Sequence, residues 1–137
     1  MPVTDWVLDT NVLISAVLSS QGAPHALAQH ILKNGNLVFS SATFEELRSR
    51  IYRPKFDVYL SLEMREALLH DFQSIARWVE PNVVPPYSRD PSDDVFIATA
   101  LKAGLSFLVS GDKDLLGANL PPGFHVLTPA QTLSAHT

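Results

Sequence analysis

The stretch VLDTNVLI at residues 7–14 decides the fold that we expect for this chain, because an apolar run ends in an aspartate where a helical pattern begins. This order is typical of a β-strand that passes directly into an α-helix. Asp9 then lies at the carboxyl end of the strand. Ligands of open α/β sheets bind in the crevice outside these strand ends, so Asp9 is the first candidate for a functional residue.

Strand-like and helix-like segments alternate over the whole chain of 137 residues. Such alternation predicts βαβ units around a mostly parallel sheet, which is an α/β fold. The length suits one domain, which we place at residues 1–137. We expect strands at residues 4–8, 37–39, 82–84, 106–109 and 124–127, and helices at residues 11–19, 25–33, 42–53, 62–79, 91–103 and from about 129.

The composition narrows the classes of protein to consider. With 46% hydrophobic and 18% charged residues, the chain is globular rather than disordered. It has no cysteine, which excludes disulfides and thiolate metal sites and is compatible with the cytoplasm. We expect no signal peptide and no membrane span, because no apolar run approaches the necessary length. The net charge of −4 means that a nucleic acid would be held by a local basic patch or through metal ions.

Acidic side chains follow each of the first four predicted strands. Right-handed crossovers place these strand-to-helix junctions at one edge of the sheet. Carboxylates gathered there would repel one another and raise their own pKa values. Mg²⁺ and Mn²⁺, which prefer carboxylate and water oxygens, would relieve this repulsion. The acids concerned are Asp9, Glu45, Glu46, Asp90, Asp93, Asp94, Asp112 and Asp114.

Four segments, in order along the chain, resemble the motifs of PIN domains, the PilT N-terminal-like ribonucleases, and in particular the branch described as toxins of toxin–antitoxin systems. They are DTN at 9–11, SATFEEL at 41–47, DPSDDVFIATA at 90–100 and SGDKDLL at 110–116. The resemblance implies a three-layer α/β/α sandwich with a five-stranded, mostly parallel sheet in the order 3-2-1-4-5. It also implies Mg²⁺- or Mn²⁺-dependent cleavage of RNA, a small antitoxin protein as partner, and a homodimer.

The resemblance also assigns roles to residues by their position in the motifs. Glu46 is preferred to Glu45 because it directly precedes Leu47, and Asp93 is preferred to Asp94 because the small residues of the motif then fall in place. The implied catalytic and metal-binding acids are Asp9, Glu46, Asp93 and Asp112, with Asp114 as an auxiliary metal ligand and Asn11 and Ser110 as residues that orient the aspartates.

Each acid also has a purely structural interpretation. Asp9 and Asp90 could be helix N-caps, Thr43 and Glu46 fit a capping box, and Asp112 fits a solvated turn. Four caps would not need to meet at one edge, so the metal-site interpretation is preferred. A basic run near Glu46 fits either a solvated helix face or a contact with the RNA backbone, and it consists of Arg48, Arg50, Arg53 and Lys55.

Three other functions are considered. A haloacid-dehalogenase-type phosphatase needs a second aspartate two positions after the first, where this chain has Asn11. A dinucleotide-binding protein is disfavoured because no Gly-x-Gly-x-x-Gly follows the first strand. The remaining alternative is a catalytically inactive PIN fold that binds RNA or protein. The complete acid set argues against this alternative, although a fold by itself does not establish activity.

Overall fold

Parallel strands and helices alternate in the computed structural model of the protein, which describes residues 5–87, 90–112, 115 and 119–136. The strands are β1 (Asp5–Trp6), β2 (Asn36–Phe39), β3 (Arg77–Trp78), β4 (Phe107–Val109) and β5 (His125–Leu127). The helices are α1 (Thr10–Leu18), α2 (Ala23–Asn34), α3 (Ser41–Ile51), α4 (Leu62–Ile75), α5 (Pro91–Lys102) and α6 (Pro129–His136), with a 3-10 turn at Pro54–Phe56. Within the described ranges, none of the helices combines the length and the apolar character that crossing a membrane requires.

The strands form two parallel sheets, one in the order β1-β2-β3 and one that pairs β4 with β5. A parallel bridge between Leu8 and Val109 connects the two sheets just beyond β1. Backbone hydrogen bonds of 3.0 Å from Val109 N–H to Val7 and from Asp9 N–H to Val109 support this bridge. The α/β fold that we predicted is thus present, whereas a single continuous five-stranded sheet stays a prediction.

The third strand lies earlier in the chain than predicted. We expected it at residues 82–84, after a helix that continued to residue 79. The helix ends at Ile75, and Arg77 and Trp78 pair with Val38 and Phe39 of β2. The Trp78 ring also packs near the rings of Phe39 and Phe44, with centroids 5.8 and 5.4 Å away. Val83 is 72% exposed, so the predicted strand was wrong because this apolar segment is not buried.

Two apolar clusters pack on opposite faces of the central strands. Trp6 and Leu8 belong to the first cluster, whereas Val7 between them belongs to the second, as the alternation of side chains along a strand requires. Helices α1 to α4 contribute to the first cluster and α5 to the second. The strand ends near Asp9 are therefore held from both sides by packed helices.

Candidate metal-dependent active site

Asp9 is a buried carboxylate that serves as the N-cap of α1. Its Oδ1 accepts a hydrogen bond of 2.9 Å from the Val12 N–H, and its Oδ2 accepts one from the Ser110 hydroxyl. Burial raises the pKa of Asp9 above its ordinary value of 3.8, although these two hydrogen bonds oppose the shift. The cap interpretation of Asp9 is therefore confirmed, and the same side chain is also a buried acid with a raised pKa.

Ser110 connects two of the acids. It follows β4 and is fully buried. While its hydroxyl donates to Asp9, its Oγ accepts a hydrogen bond of 3.0 Å from the Asp112 N–H. The contacts of Ser110 are those that an orienting residue between the first and fourth aspartates would make.

Glu46 projects from α3 and is held at both oxygens. Its Oε2 accepts a hydrogen bond of 2.8 Å from the Thr10 hydroxyl, and its Oε1 lies 3.0 Å from Nη2 of Arg50. The capping box of α3 is formed instead by Ser40 and Thr43. The alternative in which Glu46 closes a capping box with Thr43 is therefore wrong, because that position is one turn too far along the helix.

Asp90 and Asp93 lie at the start of α5 but differ in their environments. Asp90 is the predicted N-cap and accepts hydrogen bonds from the N–H and the hydroxyl of Ser92, which lower its pKa. Burial raises the pKa of Asp93 to about 6, and the negative charges of Asp112, Asp90, Glu46 and Asp9 add to the shift. The raised pKa of Asp93 is thus a consequence first of its burial and then of the neighbouring acids at this edge.

The four acids assigned as catalytic line one cavity of about 60 Å³. Its other lining residues include Thr10, Arg50 and Asp90. A larger cleft of about 750 Å³ shares Asn11 and Asp112 with this cavity and extends to the starts of α2 and α6. The acids come from four separate segments: Asp9 after β1, Glu46 in α3, Asp93 in α5 and Asp112 after β4.

The structure separates these acids from their neighbours in sequence. Glu45 is exposed, pairs with Arg48 at 3.7 Å and does not line the cavity. Asp94 is buried but is also absent from the cavity wall. Asp114, which we expected to be an auxiliary ligand, lies outside the described residues. Glu46 and Asp93 are therefore the members of each pair that face the cavity.

Other residues singled out in the sequence have different contacts from those expected. Asn11 holds Arg50 rather than Asp9, because its side-chain oxygen accepts a 3.0 Å hydrogen bond from Nη1 of Arg50. Lys55 lies over the ring of Phe56, with Nζ 5.1 Å from the centroid, and Arg53 is exposed. Of the basic run, Arg50 is the residue that lines the acid cavity.

Sequence reasoning missed Thr10 and did not separate Arg50 from the rest of the basic run. Thr10 lies between Asp9 and Asn11, and its hydroxyl could have been recognised as a donor to a neighbouring carboxylate. The spacing of Glu46 and Arg50 is i, i+4, which predicts an ion pair on a helix surface. Neither signal indicated that the pair would line the same cavity as Asp9.

The donor set of the cavity suits a hard divalent cation. Its carboxylate and hydroxyl oxygens are the ligands that Mg²⁺ and Mn²⁺ prefer. The raised pKa values of Asp9 and Asp93 show two acids that a nearby positive charge would stabilise in the ionised form. In their present positions, no three acidic or histidine side chains of the described chain form a metal-binding group.

Comparison with known proteins identifies relatives of this chain. The uncharacterized protein MJ1680 of Methanocaldococcus jannaschii is 31% identical over 112 residues, which are 80% of this chain and 72% of that protein. The fold is similar to that of VapBC2 from Rickettsia felis in complex with a DNA fragment from their promoter, with a TM-score of 0.61, 13% identity and coverage of 91% of this chain and 98% of that chain.

Two further solved structures have a similar fold. VapBC-1 from nontypeable Haemophilus influenzae has a TM-score of 0.59 at 14% identity, covering 93% of this chain and 99% of that chain. FitAcB from Neisseria gonorrhoeae has a TM-score of 0.54 at 21% identity, covering 90% and 97%. The PIN domain family itself matches residues 5–114, which include all four acids of the cavity. On the strength of that match, the chain belongs to the PIN domain family.

Proposed function

We propose that this protein is a Mg²⁺- or Mn²⁺-dependent endoribonuclease and the toxin of a toxin–antitoxin pair. The observation that carries the proposal is the meeting of four acids from four segments in one cavity around the buried Asp9. Helix capping explains Asp9 and Asp90 individually, but it does not account for Glu46 or for the burial and the neighbouring negative charges that raise the pKa of Asp93.

The metal ligands in this proposal are Asp9, Glu46, Asp93 and Asp112, with Asp114 as an auxiliary acid. A divalent cation bound there supplies positive charge to the scissile phosphate and makes the attacking water more acidic. The protein's own contribution is to hold the acids in place. Ser110 fixes Asp9 and the backbone of Asp112, and Thr10 fixes Glu46.

The RNA substrate is proposed to reach the cavity along its two flanks. On one side, the cleft that shares Asn11 and Asp112 has room for a nucleotide next to the scissile bond. On the other side, the basic run extends from the end of α3 into the following turn, where it could contact phosphates by charge. That run consists of Arg48, Arg50, Arg53 and Lys55.

A small antitoxin and a second copy of this chain are the proposed protein partners. The motif resemblance to the toxin branch of PIN domains supports the antitoxin, as does the similarity of the fold to VapBC2, VapBC-1 and FitAcB. Leu32 of α2 and Met64 of α4 are about half exposed, as apolar residues at a protein interface would be. The bridge at Leu8 further supports the strand order 3-2-1-4-5 that the family resemblance implies.

Cleavage of an unstructured RNA pool in Mn²⁺ tests the enzymatic part of the proposal. Asp9→Asn keeps the size and one oxygen of the side chain but removes the charge, so cleavage should be abolished while the fold is kept. Glu45→Gln is the matched control, because Glu45 is exposed and outside the cavity. Wild-type cleavage by Asp9→Asn would contradict the catalytic role of Asp9, whereas no cleavage by the wild type would favour the inactive RNA- or protein-binding alternative.

A further inference from the structure

Arg50 places a positive charge inside the acid cavity. Its side chain is 25% exposed, and its guanidinium is fixed at two points. Nη2 lies 3.0 Å from Oε1 of Glu46, and Nη1 donates a 3.0 Å hydrogen bond to Asn11. An ordinary pair at i, i+4 on a helix has no need of the second contact, which crosses from α3 to α1.

The contact with Arg50 gives the second carboxylate oxygen of Glu46 a partner. One carboxylate oxygen accepts from Thr10 and the other from Arg50, so the protein itself compensates the charge of this acid. Asp93 contrasts with Glu46. Burial and the negative charges of neighbouring acids raise the pKa of Asp93, and no hydrogen bond is among the causes of its shift. The guanidinium of Arg50 is thus in direct contact with Glu46, and its charge also lowers the pKa of Asp90.

We infer that Arg50 competes with a divalent cation for Glu46 and, when the cation binds, turns its guanidinium to a phosphate of the substrate. The inference rests on the proposed function and extends it to the regulation of the same site. A cation that approaches Glu46 must meet the repulsion of a guanidinium held 3.0 Å from the same carboxylate. The affinity for the metal ion is therefore lower than it would be with the four acids alone.

The geometry of Arg50 suits the second half of this exchange. A guanidinium has five N–H donors, and the contacts with Glu46 and Asn11 use two of them. The planar fork matches the oxygens of a phosphate, and the long side chain can turn without movement of α3. In this exchange, Glu46 holds Arg50 until the metal and the RNA bind, and Arg50 then binds the substrate.

Two substitutions separate the charge of Arg50 from its forked shape. Arg50→Gln removes the charge and keeps an amide that can donate to Glu46 or Asn11. Arg50→Lys keeps the charge and loses the fork. Lys102→Gln is the control for loss of one positive charge, because Lys102 is exposed at the far end of α5 from Asp93. Circular dichroism and melting curves check that all variants are folded.

Mn²⁺ titration by calorimetry, without RNA, tests the competition. Arg50→Gln should bind Mn²⁺ about fivefold more tightly than the wild type, as expected for removal of one partly screened like charge. The Mn²⁺ affinities of Arg50→Lys and Lys102→Gln should stay within about twofold of that of the wild type. Arg50→Lys keeps the positive charge, and Lys102 lies far from the cavity. Equal or weaker binding by Arg50→Gln would overturn the competition, since a purely structural Arg50 would only support the site.

RNA cleavage at saturating Mn²⁺ tests the contact with phosphate. Arg50→Gln should raise KM about tenfold, with a smaller change in kcat, and Arg50→Lys should recover part of the loss. An unchanged KM would overturn this half of the inference. Failure of the proposed function is distinguishable: a wild type that binds Mn²⁺ without cleaving RNA contradicts the nuclease, whereas the order of the Mn²⁺ affinities still decides the role of Arg50. If neither the wild type nor Arg50→Gln binds Mn²⁺, both proposals are wrong.

Discussion

The hydroxyl of Ser110 donates a hydrogen bond to Asp9, and this bond joins the ends of two neighbouring strands across 101 residues of sequence. A backbone hydrogen bond of 3.0 Å from the Asp9 N–H to Val109 runs beside it. Val109 thus fixes the main chain of Asp9, and the next residue, Ser110, fixes its side chain.

Ser110→Ala should lower the free energy of unfolding by about 1–3 kcal/mol, because it leaves a buried carboxylate and the Asp112 N–H each without one partner. The loss should be larger at pH 7.5 than at pH 5, because the missing hydrogen bond is one that lowers the pKa of Asp9. Urea denaturation at the two pH values measures both effects. Ser106→Ala, at the exposed start of the same strand segment, should change little, and a fully stable Ser110→Ala would contradict the role of the bond.

Asp9→Asn should keep or increase the thermal stability of the metal-free protein at neutral pH. The burial that raises the pKa of Asp9 also makes its charge unfavourable, and the amide still offers an oxygen to the Val12 N–H. Differential scanning calorimetry in a chelating buffer measures the change. Glu45→Gln should remain within about 0.5 kcal/mol of the wild type. A large loss of stability in Asp9→Asn would show that the carboxylate is needed for the fold rather than for the site.

Asp93 should make the metal-free protein less stable as the pH rises through about 6. Its pKa is higher in the folded protein than the ordinary 3.8, so the folded state binds the proton more tightly. The resulting stabilisation is fully present below pH 3.8 and is lost as the pH rises through about 6. Unfolding curves of the wild type and Asp93→Asn are measured between pH 4.5 and 7.5, in steps on the order of half a pH unit. The difference between the two proteins isolates the contribution of Asp93. Parallel pH profiles for the two proteins would be the contrary result.

Mn²⁺ or Mg²⁺ should raise the melting temperature of the wild type, because an ion that binds the folded state alone stabilises it by mass action. At an ion concentration of about 100 times Kd, the gain is about 2.7 kcal/mol. A concentration series, with Na⁺ at matched ionic strength as the control, separates binding from screening. Asp9→Asn should lose most of the increase. The same increase in both proteins would place the ion elsewhere.

The acids at the strand ends could be predicted from sequence because each lies at a junction where an apolar run meets a helical pattern. Asp9 and Asp112 are recognisable in this way, and right-handed connections then bring them to one edge. Asp93 was instead assigned from its position in the family motif, since the strand predicted before it at residues 82–84 was wrong. The same local reasoning identified the caps at Asp9 and Asp90. These features depend on a few consecutive residues and on a general rule of chain topology.

The predictions that were wrong, and the features that were missed, depend on contacts between residues that are distant in sequence. Nothing local distinguishes Arg77 and Trp78 from one more turn of α4. They form β3 because the backbone of β2 pairs with them, because Trp78 packs on Phe39 and because Arg77 pairs with Asp5 at 2.6 Å. Arg50 is similar: its charge is visible in the sequence, but its place beside Glu46 and Asn11 depends on how α3 packs against α1.

The bridge between Leu8 and Val109 has a consequence for the order of events on the ribosome. When β1, β2 and β3 have been synthesised, Asp9 and Glu46 are already present, but the segment that holds Asp9 through Ser110 is still to be translated. Asp112 is made later still, and β4 pairs with a strand as late as His125–Leu127. The nascent polypeptide therefore cannot complete its acid cavity before Asp112 and the strand that pairs with β4 have left the ribosome, so the cavity forms after the helices that surround Asp9 and Glu46 have been made.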